Sequence, residues 1–418
     1  MKRQAFTGFL FIYPLHMKQL CGAFLLVAYG VTFLSGQSNN KNLITADINY
    51  VTHLAFERGG VVKTMKLTKS IGLFDWGTNT VSDDNGSSFF FCNSVSMYNK
   101  GLGYVENGED IAYFSVSSGG PYQYNVASQY HNGVIGLPPI DQQKKYFHFF
   151  YLQDTMESVT QAQLLCYAKI DGLANNGLGK VVEKKKVLVR SSYLESIAAC
   201  RHANGRDWWI VLPEHSSPNE KKYYIFLLTP QGLNDPKIQN FDVSYDYSVA
   251  DAIANSCFSP NGNWFLDNDE KYGKGANLFS FDRCTGSLSM PKFLSHGIDG
   301  EWGGGAAFSP NSRFVYLIPE CFCDYVGRVI QYDLWASDVQ GSKIEVYSKY
   351  QWDTIVPYNE FQLYFESASL LSNGKIGIAS GWYQDKTDNY YHVIDQPNLK
   401  GTDCRFQLSK MSLGKVLP

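Results

Sequence analysis

At 418 residues, with 44% apolar and 18% charged side chains, the chain can bury a sizeable core, as one large β domain or roughly two to three ordinary ones. Its 28 Tyr, 27 Phe and 37 Gly favour strands and tight turns over helices and point to an all-β fold. A formal net charge of −3 without a basic stripe excludes nucleic acid as the main partner.

In chain order, the first feature is a leader. Met17-Lys18 precedes an apolar run from Leu20 to Leu34, and Ser35-Gly36-Gln37 follows. A charged start, a short apolar stretch and a small residue at the cut define a secretory signal peptide over residues 1–36, with Met17 as an alternative start. The run is short for a bilayer, which needs about 20 residues, and no later segment is apolar enough to span one. Cleavage after Gly36 would leave a chain in which residues 43–418 form a single domain, secreted or held at the cell surface. Of nine cysteines, eight lie beyond the leader. That even number suits disulfides in an exported chain, or thiols buried singly.

A hairpin signature then recurs. Asn85-Gly86 precedes Phe89-Phe90-Phe91, and Pro139-Ile140-Asp141-Gln142 precedes the strand from Tyr146. Asn204-Gly205 precedes Trp208-Trp209, Asn261-Gly262 precedes Trp264-Phe265, Asn311-Ser312 precedes Phe314-Val315, and Asn373-Gly374 precedes Ile376. Asn and Gly accept the positive φ that tight two-residue hairpins require. The corners recur every 50 to 63 residues, and a second hairpin follows most of them. Two hairpins per unit make the four-stranded blade of a β-propeller. Six corners are visible, whereas the mature length divided by this repeat favours seven. The expectation is a propeller of six or seven four-stranded blades, seven favoured.

The stretch opening at His202, HANGRDWWIVLPEHSSPNEKKYYIFLLTPQG, resembles a family of exported, Trp-Asp-repeat-like propellers of Bacteroidota. So do LFSFDRCTGSLSMP from Leu278, FSPNSRFVYL from Phe308, IQYDLWASDVQGSK from Ile330, SDDNGSSFFFCNSVSMYN from Ser82 and HVIDQPNLKGTDC from His392. The resemblance covers about residues 70–410 and implies a propeller fold and export. Members often add a C-terminal sorting domain for type IX secretion. This chain ends at Lys415-Val416-Leu417-Pro418, where relatives continue, so it is either truncated or closes its ring with N-terminal residues.

The densest polar cluster is His202, Arg206, Asp207 and Trp208. At a channel mouth these residues would bind an anion or act in acid–base chemistry. The stronger reading is structural, with His, Asp and Trp knitting a blade by hydrogen bonds and the Trp pair alternating between its faces. Trp302, which opens the Trp302-Gly303-Gly304-Gly305 run, joins them as a binding candidate. The glycines let strands crowd together, and without a following helix they are no phosphate loop. Asp267-Asn268-Asp269-Glu270 has oxygen ligands suited to Ca²⁺ but not the calcium-loop spacing, and reads as a solvated loop. No G-x-S-x-G, H-E-x-x-H or P-loop pattern occurs, so no catalytic residue, metal or cofactor is expected. The favoured function is a secreted, non-enzymatic binding or scaffold module for protein or glycan, without a membrane span once the leader is gone. The alternative is a lactonase-like or glycan-active hydrolase or lyase with its site at the central channel.

Overall fold

A computed structural model of the protein describes residues 42–47, 50–56, 62–67, 79–83, 89–92, 95–111, 133–141, 143–155, 162–217, 220–242, 254–269, 275–297, 302–320, 326–350, 364–381 and 390–412. The expected leader, Asn85, Cys321 and Cys323 lie outside them.

Every described sheet is antiparallel and built from consecutive strands. A three-stranded sheet comes first: β1 (Asn42–Asp47), β2 (Tyr50–Phe56) and β3 (Val62–Leu67). Six blades follow. Blade 1 holds β4 (Asn79–Ser82), β5 (Phe89–Cys92) and β6 (Met97–Asn99), its outer strand reduced to a bridge between Tyr98 and Tyr104. Blade 2 holds β7 (Val134–Leu137), β8 (Tyr146–Thr155), β9 (Ala162–Asp171) and β10 (Lys180–Ser191). Blade 3 holds β11 (Ala198–Arg201), β12 (Trp208–Ser217), β13 (Glu220–Thr229), the short β14 (Gly232–Leu233) and β15 (Lys237–Asp242). Blade 4 holds β16 (Ala254–Phe258), β17 (Trp264–Asp269), β18 (Gly275–Asp282), the short β19 (Ser287–Leu288) and β20 (Lys292–Ser295). Blade 5 holds β21 (Trp302–Phe308), β22 (Phe314–Glu320), β23 (Val326–Asp333) and β24 (Ile344–Tyr350). Blade 6 holds β25 (Tyr364–Leu370), β26 (Ile376–Gly381), β27 (Tyr390–Ile394) and β28 (Phe406–Ser412).

The protein is therefore an all-β propeller, and the expectation of six or seven blades holds. Of the six corners read from the sequence, the five after Asn85 each lie between the first two strands of one blade. Among the described residues, 42–67 add a three-stranded sheet beside these six blades.

What packs the blades side by side is the division of each strand into two faces. Trp208, Ile210 and Leu212 of β12 pack against Ile135, Phe150 and Leu165 of blade 2. The intervening Trp209 and Val211 pack against Phe258, Phe265 and Phe279 of blade 4. Period-two alternation thus buries both faces of a blade against its two neighbours. Five apolar cores in all join the six blades in series. Each large side chain buried there contributes roughly 1.5–3 kcal/mol.

The corners are longer than two-residue turns: β16 ends at Phe258 and β17 begins at Trp264. Asn261 Oδ1 accepts the Asn263 amide at 3.0 Å, closing an Asx turn. Ser259 Oγ donates to Asn261 Oδ1 at 2.7 Å and accepts the Trp264 amide at 3.0 Å. Blade 5 repeats this with Ser309, Asn311 and Arg313. The residue after the Asn is left-handed each time, Gly262 at φ +71° and Ser312 at +59°. The Asn therefore supplies the turn's acceptor and its successor the positive φ.

Gly305 shows why the glycine run precedes the blade 5 corner. A Cβ there would overlap the backbone nitrogen of Ala368 and the carbonyl carbon of Ser367 in blade 6. Gly305→Ala is expected to destabilise the fold by about 2–3 kcal/mol, since backbone cannot move aside as a side-chain tip can. A urea midpoint equal to wild type would remove this account of the blade 5–blade 6 contact.

Candidate functional site

The propeller has two kinds of strand end. At one end lie the corners, and these are tied from blade to blade. The Arg283 carbonyl of blade 4 accepts the Ala203 amide at 3.1 Å and Trp209 Nε1 at 2.8 Å. An Arg283 guanidinium nitrogen donates to the Asn261 carbonyl at 2.6 Å. The Asn261 amide donates to Ser312 Oγ at 3.1 Å, and the Asn311 amide to Asn398 Oδ1 at 3.0 Å.

Four of the five residues singled out in the sequence meet at the blade 3 corner. Asp207 is buried and accepts Arg206 Nε at 2.7 Å and Asn204 Nδ2 at 2.8 Å. Burial opposes its charge, but the bonds from Arg206 and Asn204 hold its carboxyl below the usual carboxylate range. His202 Nδ1 accepts the Asn204 amide at 3.0 Å, and its ring lies 5.5 Å from that of Trp209. Trp208 is buried in the core between blades 2 and 3, with the Arg201 guanidinium 4.1 Å over its ring. Arg206 remains exposed. Trp302 is not brought to this cluster. It begins β21, opposite Glu320 in the register and at the far end of that strand from the blade 5 corner.

The opposite strand ends hold a second cluster, made from parts of blades 3 and 4. Lys221 of β13 is completely buried and contacts two carboxylates. Its Nζ lies 3.0 Å from Glu195 Oε2 and 2.9 Å from Asp267 Oδ2. Both carboxylates have at most 1% exposure. His215 Nε2 of β12 meets the other Glu195 oxygen at 2.7 Å. Tyr223 donates its hydroxyl to Asp267 Oδ2 at 2.7 Å. Burial first, then the Asp267 charge, pushes the Tyr223 phenol well above its ordinary value, so it serves as a donor. Asp267 therefore lies within β17, buried, and is no part of a solvated loop. Its side chain is spent on an ammonium and a phenol rather than on Ca²⁺, and among the described residues no His, Cys, Asp and Glu group could hold a metal.

Of these five residues only Asp267 was singled out from the sequence, and there as part of a solvated loop, although the signal for Lys221 is present too. In Glu220-Lys221-Lys222-Tyr223-Tyr224-Ile225, Lys221 shares the parity of Tyr223 and Ile225, and β13 buries all three. A lysine on the apolar face of a strand marks a buried cation that needs a carboxylate. Glu195 and Asp267, 26 and 46 residues away, are found only through the fold.

The cysteines that the structure describes make no disulfide. Cys166, Cys200 and Cys257 are buried, and burial pushes their thiols up, to about 12 for Cys166 and Cys257. No helix among the described residues is long and apolar enough to cross a membrane.

No family model matches the chain, and no curated protein matches it. Solved structures do show similarity to it. Hydrazine synthase from Kuenenia stuttgartiensis is 11% identical with a TM-score of 0.44, over 84% of this chain and 94% of that one. A putative 6-phosphogluconolactonase from Bacteroides fragilis is 10% identical with a TM-score of 0.42, over 86% and 92%. Hsv2 from Kluyveromyces lactis is 8% identical with a TM-score of 0.40, over 88% and 94%. These likenesses extend over most of each chain, all with TM-scores below 0.5.

Proposed function

We propose that the chain is an exported, non-enzymatic propeller that binds a protein or glycan at or outside the cell surface. The observation behind this reading is how the ionisable groups are used. Lys221, Glu195 and Asp267, which two blades bring together, satisfy one another inside a sealed interface, and Asp207 is likewise engaged by Arg206 and Asn204. A reaction site needs such groups free to meet a substrate. A rigid ring with loops at its rims suits recognition instead. Arg206, His202 and Trp302 are the proposed contacts, and Asp207 and Trp208 hold the corner that presents Arg206 and His202.

The test is a glycan array and a surface-protein panel probed with the chain lacking residues 1–36, beside a panel of lactones and chromogenic glycosides. Retention that Arg206→Ala or Trp302→Ala weakens by about tenfold, without turnover, is the expected result; tenfold corresponds to about 1.4 kcal/mol. Turnover of any panel member would favour the channel enzyme. Export is checked separately by N-terminal sequencing: protein recovered outside the cytosol should begin after Gly36, and an intact leader on cytosolic protein would end that half of the reading.

A further inference from the structure

The contact between Lys221 and Asp267 has the parts of a condensation reaction. An amine and a carboxyl group lie within 2.9 Å, each held by a strand of a different blade. A second carboxylate, Glu195, touches the same amine nitrogen at 3.0 Å. The Tyr223 hydroxyl donates to the very oxygen of Asp267 that faces the amine. The surroundings are aromatic: the Tyr223 ring lies 5.1 Å from Phe279, 5.8 Å from Phe241 and 6.1 Å from Phe265. Water has no access to Lys221 or Asp267, both 0% exposed.

We propose that Lys221 and Asp267 join in an intramolecular amide bond that welds blade 3 to blade 4, with Glu195 as the proton relay. A charged ammonium and a charged carboxylate are both disfavoured in so apolar a site, so the neutral amine and the neutral acid become accessible. Glu195 takes a proton from the Lys221 ammonium. The freed nitrogen lone pair attacks Cγ of the protonated Asp267 carboxyl, whose oxygen Tyr223 polarises. One C–N bond forms. Glu195 returns its proton to the hydroxyl of the tetrahedral adduct, which leaves as water as one C–O bond breaks, and then takes the second proton from the nitrogen, so that the amide is neutral and Glu195 ends protonated. One water leaves, and no oxidant, reductant or activated donor is consumed.

Fixed geometry replaces chemical activation here, because the fold holds the amine and the carboxyl group in contact. The product removes two buried charges and leaves a neutral amide. The roles of the two carboxylates follow from their partners. Asp267 has the phenol donor suited to an electrophile, whereas Glu195 is backed at 2.7 Å by the His215 imidazole, which suits a group that exchanges protons.

Tryptic mapping of the purified full chain decides the matter. The expected product is a branched species in which residues 207–222, uncut after Lys221, are joined to residues 238–271, lighter by one water than their sum. Separate peptides, with cleavage after Lys221, would overturn the proposal whatever any variant does. A branch between residues 207–222 and 191–201 would overturn the choice of Asp267 by placing the bond on Glu195. Glu195→Gln should abolish the branched species, and Glu195→Asp should keep the carboxylate but form the bond more slowly. Full cross-linking in folded Glu195→Gln would remove the relay.

Discussion

Replacing Lys221 with Met is expected to destabilise the native chain by about 3–5 kcal/mol. Methionine fills much the same volume and suits the aromatic surroundings, so little of this loss is a cavity. The loss comes from Glu195 and Asp267, which keep their burial and lose the ammonium they share. That holds whether Lys221 meets Asp267 as an ion or as the proposed amide. Neutralising all three groups, as K221M/E195Q/D267N, should recover most of the deficit, because no uncompensated charge then remains in the interface. The three positions share one network, so their effects are expected to be strongly non-additive. Urea midpoints of wild type, the single variant and the triple variant measure this directly. A K221M protein within about 1 kcal/mol of wild type would mean that the blade 3–blade 4 interface does not depend on the cluster.

The same cluster shows where reading the sequence succeeds and where it stops. The corners were legible because their chemistry is local: Asn261 bonds its own neighbour Asn263, and Gly262 needs only its own φ. One corner per blade then fixes the number of complete blades better than chain length does, since residues 42–67 contribute length but, among the described residues, only three strands. The aromatic pair Trp208-Trp209 was legible as a two-faced strand for the same reason. The ionic cluster was not, because its parts lie on β12, β13, β17 and the segment before β11, and only register and blade order align them. Asp267 shows the failure plainly. Beside Asn268, Asp269 and Glu270 it looks like a hydrophilic loop, yet β17 carries it directly opposite Ser256 in the register, into the interface with Lys221. Local composition reports polarity, and only the fold reports whether that polarity faces water.

Acid should weaken this protein well above the range where its paired carboxylates are protonated. His148 of β8 is buried, and burial, followed by the positive charge of Lys169, pushes its imidazole down to about 3. Its Nδ1 lies 2.7 Å from the Tyr167 hydroxyl. Burial raises the Tyr167 phenol above its ordinary value, so the hydroxyl donates and neutral His148 accepts. His392 of β27 sits against the rings of Phe365 and Phe406 at 4.8 and 6.3 Å, and burial pushes it down to about 4. In the unfolded chain both take up a proton below about 6.5, while in the native state both stay neutral. The unfolded state then binds more protons, so stability is full above pH 6.5 and falls as the pH drops toward 4 and then 3. Each histidine removes up to about 1.4 kcal/mol per pH unit in that window, and together about 3 kcal/mol between pH 6.5 and 5. Asp207 and Asp333, held low by Arg206 and Arg313, add their own losses only in more acidic solution. Chemical denaturation at pH 7.5, 6.5 and 5 measures the slope. His148→Asn keeps an acceptor near Tyr167 but cannot titrate in this range, and should remove about half of the slope between pH 6.5 and 5. Stability unchanged between pH 7.5 and 5 would mean that the two imidazoles meet water, contrary to their burial between blades.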